Sequence, residues 1–168
     1  MLNVIQAKAG IVSCSGEELA EGTVARLATL KVLHELRPSS TVTICLPLFL
    51  AGGEGDREFA RFHPTITIDG CDLRCAARGT EMYSAKPAAS IVVNELLDAA
   101  GLPRPEGRRC LNAAGRAAVD LVAERVAQLV DELARGRRSK PVAPATVTAG
   151  TGVDPPPGPD RSGRSPAR

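Results

Sequence analysis

A chain of 168 residues, 43% of them hydrophobic, has enough material for one domain with a buried core. Its formal charge is +2, but the segment from Gly136 to Arg168 holds six Arg or Lys against two Asp, which leaves the remainder at about −2. With three Phe, one Tyr and no Trp, that balance argues against a nucleic-acid face built from basic patches and stacking rings, and no run approaches the roughly 18 apolar residues of a membrane span.

The start, Met1-Leu-Asn-Val-Ile-Gln-Ala-Lys, lacks the basic-then-apolar order of a signal peptide, so a cytoplasmic protein is expected. In a reducing compartment the five cysteines read as ligands or reactive thiols rather than disulfides.

Taken in order, Gly10 to Cys14 reads as the end of a first strand, and Ser15-Gly16-Glu17 as a small polar turn. A helix is expected over about Glu21 to Leu36, closed by Pro38. The β-branched run Thr41 to Leu46 reads as a second strand stopped by Pro47. Leu48 to Gly55 leads to a short helix of about Asp56 to Phe62, with Phe59 and Phe62 on one face. The third strand, Thr65 to Ile68, is β-branched throughout, which suits a pleated strand, and Asp69-Gly70 breaks it. From Cys71 a helix is expected, with Cys71 and Cys75 one turn apart on one face at its N-terminus, where the partial positive charge favours thiolate.

Ala89 to Val93 suits a fourth strand and Glu95 to Ala100 a helical turn or two. This alternation predicts an α/β fold: a small three-layer parallel sheet of about four strands with crossover helices. Residues 1–100 then form the α/β domain and 101–111 a linker rich in proline, glycine and arginine. Residues 112–135 form the most regular amphipathic helix, with Ala118, Val119, Val122, Val126, Leu129, Val130 and Leu133 along one side. That stripe packs either on the chain's own core or on a second copy, giving a homodimer. The Pro- and Arg-rich tail over 136–168 has the composition of disorder.

The parallel topology has a consequence for the cysteines. Sites in open parallel sheets form outside the carboxyl ends of strands, and Cys14, Cys45 and Cys71 each fall at such an end, with Cys75 just beyond. The intervening 30 and 25 residues each fit one crossover. Four thiolates on one spot repel unless a cation lies between them, and a zinc ion does this tetrahedrally. Burial as small hydrophobes is the plainer reading, but filler residues have no reason to collect at strand ends. An iron–sulfur cluster also takes four cysteines, and the Cys71/Cys75 dithiol alone could serve redox or sulfur transfer.

Cys14-Ser-Gly-Glu, Glu21-Gly-Thr-Val-Ala-Arg, Cys45-Leu-Pro, Gly52-Gly-Glu-Gly, Asp69-Gly-Cys-Asp and Arg74-Cys-Ala-Ala-Arg, spread from about Gly10 to Leu97, resemble the DGC-domain family, named for its Asp-Gly-Cys motif. The resemblance implies that Cys14, Cys45, Cys71 and Cys75 are the family's proposed zinc-chelating cysteines. It implies no reaction. Cys110 lies outside it and reads as a lone cysteine at a helix start.

Neighbouring residues have local readings. Gly52-Gly-Glu-Gly55 resembles a phosphate cradle only until Glu54, Asp56 and Glu58 are counted, because their charge would meet the phosphate; a tight turn is expected instead. Arg78 stands one position too far from Cys71 for a phosphatase loop. Ser15 and Asp69 suit either orientation of the cysteines or turn and cap roles. Glu17, Asp72, Arg74, Glu81 and Lys86 stand nearby in sequence, whereas His34 and His63 fall away from the strand ends and are not expected to be ligands.

Overall fold

The computed structural model describes residues 7–138 except 15 and 17. Four parallel strands, β1 (Ala9–Ser13), β2 (Thr41–Thr43), β3 (Thr65–Asp69) and β4 (Ala89–Val92), form one sheet in the order β2-β1-β3-β4. After β1 come α1 (Ala20–Lys31) and a π-helical turn over Val32–Leu36; after β2 come α2 (Leu46–Ala51), α3 (Glu54–Arg57) and α4 (Phe59–Phe62). α5 (Cys75–Tyr83) follows β3, and α6 (Val93–Ala100) and α7 (Ala113–Arg138) follow β4.

The chain moves one way from β1 to β2 and the opposite way from β2 through β3 to β4. Right-handed crossovers then require helices on both faces. Alternation along the strands meets that requirement. Ile11, Ile66 and Ile68 point to one core, shared with Val24 and Ala28 of α1, Leu97 of α6 and Val122 and Val126 of α7. Val12 points to a smaller core with Leu46 and Phe49 of α2 and Ala76 of α5. β3 is buried along its whole length because β1 and β4 flank it.

Several boundaries differ from the sequence reading. Pro47 does not stop a strand; β2 ends at Thr43 and Pro47 lies in the first turn of α2, where its fixed φ and missing N–H cost nothing. The helix expected over Asp56 to Phe62 is two single turns, α3 and α4, and Phe62 is 57% exposed while Phe59 packs on the smaller core. Gly52 and Gly53 do serve a tight turn, with the Gly53 N–H donating to the Asp56 carboxylate at 3.1 Å.

The apolar stripe of α7 lies chiefly against α1, with the π-helical turn and α6 beside it. Two ion pairs flank this contact. Lys31 Nζ meets Asp120 at 2.6 Å, and Arg37 grips Asp131 with Nε and Nη2 at 2.8 and 2.6 Å. The guanidinium hydrogen bond holds the Asp131 carboxyl below its usual range, so its contribution is present above the ordinary carboxylate pKa and disappears as pH falls through the depressed value. Both side chains are over a third exposed, and solvent screening limits the pair to less than about 1 kcal/mol. Asp131→Asn should therefore cost under about 1 kcal/mol at neutral pH, and urea unfolding should show that difference closing in acid.

The tail expected to be disordered lies, from residue 139 onward, outside the described residues. Among the described residues no helix is long and apolar enough to cross a membrane.

Candidate metal centre

The cysteines follow strands that are neighbours in the sheet. Cys14 directly follows β1, Cys45 ends the chain segment after β2 as the N-cap of α2, and Cys71 lies two residues beyond β3. Because β1 lies between β2 and β3, Cys14 is the middle member. This is also where the strand order reverses, the place at which doubly wound sheets leave a crevice between diverging loops. Adjacent strands lie about 4.8 Å apart, so thiols following β2 and β3 must both reach inward to share a ligand with Cys14.

Two cavities flank Cys14. One, of about 280 Å³, is lined by Cys14, Cys71, Cys75, Asp69 and the apolar rim of Leu19 and Leu73. The other, of about 290 Å³, is lined by Cys14 and Cys45. Leu46 borders both. Thus the structure brings Cys14, Cys71 and Cys75 to one cavity and sets Cys45 on the far side of Cys14. Among the described residues, no three Cys, His, Asp or Glu side chains stand in position to hold one ion.

The helix expected from Cys71 begins only at Cys75. Cys71 to Arg74 form a turn closed by the Arg74 N–H donating to the Cys71 carbonyl at 3.2 Å. Arg74, at φ 52°, ψ 46°, takes the left-handed conformation, which a side chain with a Cβ rarely adopts. Cys71 and Cys75 therefore do not share a helix face. The reason is Asp69: its carboxylate accepts the Ala76 N–H at 2.7 Å and the Ala77 N–H at 3.0 Å, so the first turn of α5 is capped from β3 and the residues between loop outward. Asp69 is 1% exposed, and burial raises its carboxyl above the usual range against the pull of those two N–H groups and of Arg74.

Cys14 is half-buried. Its Sγ accepts the Gly70 N–H at 3.3 Å, which favours thiolate, but burial dominates and raises the thiol, with Asp69, Cys71 and Cys75 adding repulsion. Cys45, Cys75 and Cys110 are exposed. In metal-free protein, maleimide should label these three first and Cys14 last, with the order read by peptide mass spectrometry over time. Early labelling of Cys14 would contradict its shielding.

The remaining candidates divide cleanly. Ser15 and Glu17 lie outside the described residues. Asp69 is the cap of α5, and Asp72, Glu81 and Lys86 are exposed. His34 is exposed on the π-helical turn, and the His63 ring meets the Lys8 carbonyl at 3.0 Å, near the amino ends of the strands. The glycines of the recognised motifs have a purpose the sequence reading missed. Gly16, Gly22 and Gly70 touch backbone to backbone, tying the β1–α1 loop, the start of α1 and the β3–α5 loop together beside Cys14. Only the recurrence of glycine after Cys14, Glu21 and Asp69 signalled it.

No curated protein and no solved structure matches the chain. A family model, the DGC domain, matches residues 10–102. That span takes in the four strands except Ala9 of β1, the three loops that carry the four cysteines and more than half of the chain, and the protein belongs to the DGC-domain family.

Proposed function

We propose that the protein binds one zinc ion through Cys14, Cys45, Cys71 and Cys75 in a reducing cytoplasm. The observation that carries this reading is the meeting of three cysteine-bearing loops where the strand order reverses, with Cys14 adjoining both flanking cavities. The donor set suits the ion: four thiols and no nearby imidazole, while the buried carboxylate of their cavity, Asp69, is occupied as a helix cap and Glu18, which also lines it, is exposed. Burial chiefly, with repulsion from Asp69, Cys71 and Cys75 beside it, raises the Cys14 thiol, and a divalent cation among these groups would favour the thiolates instead. Cys45 and Cys75 are exposed. Four thiolates fill a tetrahedral zinc, with sulfur at about 2.3 Å, and leave no position for water, so the ion would be structural or regulatory.

A second reading, thiol redox or sulfur transfer at Cys71 and Cys75, has exposed Cys75 at the start of α5 in its favour. Against it, the buried Asp69 carboxylate already occupies the N–H groups of that helix end and repels a neighbouring thiolate.

Elemental analysis of anaerobically purified protein tests the choice. About one zinc per chain, lost in both Cys14→Ser and Cys75→Ser, is expected. Iron with visible absorbance would assign a cluster instead. Metal-free protein whose Cys71 and Cys75 react while Cys14→Ser has no effect would replace zinc binding with dithiol chemistry.

A further inference from the structure

The four cysteines are not equivalent in the fold. Cys14, Cys71 and Cys75 line one cavity of about 280 Å³, and the Gly70 N–H beside Cys71 donates to the Cys14 Sγ at 3.3 Å, so the β3–α5 loop is tied to the middle thiol. Cys45 lines the other cavity. The linings of the two share Cys14 and Leu46, and Leu46, the residue next to Cys45, is buried.

The backbone of Cys45 is fixed on both sides of the thiol. Two residues before it, the Thr43 hydroxyl donates to the Ile11 carbonyl at 2.7 Å. After it, the Phe49 N–H donates to the Cys45 carbonyl at 3.0 Å, and Phe49 is fully buried in the smaller core. Pro47, with its fixed φ, stiffens the first turn of α2 between them. Cys45 therefore reaches an ion held by the other three through its side chain alone, past Leu46. A side chain that must reach around a buried neighbour binds with strain that the others do not carry, and it is the ligand most readily displaced.

We propose that Cys45 is the exchangeable ligand of the zinc site, and that its place is taken by the thiolate of a small aliphatic thiol entering the cavity of the other three cysteines. This inference rests on the zinc reading above. Leu19, Leu46 and Leu73 give that cavity an aliphatic lining, and Leu19 and Leu73 are 43% and 62% exposed at its rim, where an aliphatic body would cover them. The carboxylates that line it among the described residues are Asp69, which caps α5, and Glu18, whose side chain is 91% exposed. Zinc among thiolates takes a further sulfur in preference to such an oxygen. The volume lies just below the roughly 300–1,000 Å³ of drug-sized sites and limits the ligand to a few carbon atoms. The exchange balances: the incoming thiol releases its proton and forms one metal–sulfur bond, while the bond to Cys45 breaks and Cys45 takes up a proton, with no change of oxidation state.

Cobalt(II), whose sulfur-to-metal absorbance grows with each thiolate bound, tests the assignment when exchanged anaerobically into the full chain. One cobalt per chain is expected in the parent and in Cys45→Ser and none in Cys14→Ser, with the Cys45→Ser absorbance lower by the share of one thiolate. Cys45 is exposed, so its replacement spares the core. Adding 1-butanethiol to Cys45→Ser should restore the absorbance saturably, about ten-fold more tightly than 2-mercaptoethanol because two carbons replace a hydroxyl, and adding Leu73→Ser should narrow that preference. Without any substitution, N-ethylmaleimide should modify Cys45 of the zinc-loaded parent before Cys14, Cys71 and Cys75, with the ion retained. Cobalt lost from Cys45→Ser as fully as from Cys14→Ser, cobalt kept without uptake of thiol, or Cys75 modified as early as Cys45 overturns the exchange and leaves the zinc site standing. A parent that takes no metal overturns both.

Discussion

Gly22→Ala should destabilise the protein by about 3 kcal/mol or more, at the upper end of what overpacking costs. A Cβ at Gly22 would lie 2.2 Å from the Gly16 Cα and 3.0 Å from its carbonyl carbon, both backbone atoms that cannot swing aside as a side chain does. Gly16, at φ +69°, is itself in a conformation that alanine-like residues avoid, so the loop has little freedom to absorb the strain. Relief in the other direction is closed as well, because Gly70 packs on Gly22, with an added Cβ there only 2.7 Å from the Gly22 nitrogen. The loop that would have to move carries Cys14, whose Sγ takes the Gly70 N–H. If the proposed zinc site is occupied, loss of stability should therefore come with weaker zinc retention, although residue 22 is not one of the proposed ligands. Urea unfolding and metal analysis of one preparation read both. Full stability in Gly22→Ala would show that the three loops are not clamped as described.

Asp69→Ala should cost about 2–3 kcal/mol. The substitution leaves the Ala76 and Ala77 N–H groups unpaired, and Ala76 is fully buried, so water cannot replace the lost acceptor there. Asp69→Asn should fall between alanine and the parent, because an amide oxygen accepts one of the two N–H groups while the amide nitrogen faces the other. The effect should spread beyond stability. Without its cap, α5 should fray from Cys75, releasing the turn that holds Arg74 in the left-handed region, and amide exchange at Ala76 and Ala77 should speed up most. Equal exchange rates in parent and Asp69→Ala would mean that the turn is fixed by something other than this carboxylate.

These two residues also show where reading the chain works and where it stops. Thr65 to Ile68 is legible as a strand because β-branching and burial on both faces agree, and the amphipathic period of α7 is legible because one side of the helix must stay dry. Pro47 is misleading for a physical reason: the same ring that ends a strand also starts a helix, and only the following Leu48 to Ala51 packing through Phe49 decides between them. The cysteine pair misleads differently. A spacing of four suits one helix face, yet Asp69 reaches across from β3 to fix the helix start at Cys75, a contact between residues seven and eight apart that no local period reveals.

What the sequence determined by itself was the alternation of strands and helices, hence a parallel sheet, and the placing of cysteines after strands, because both follow from side-chain periodicity within short segments. Only the tertiary structure decided that β1 lies between β2 and β3, and that the backbone of Gly22 packs against both Gly16 and Gly70. Strand order and interloop contacts join residues tens of positions apart, and their energies depend on which surfaces meet rather than on any property that one segment carries alone.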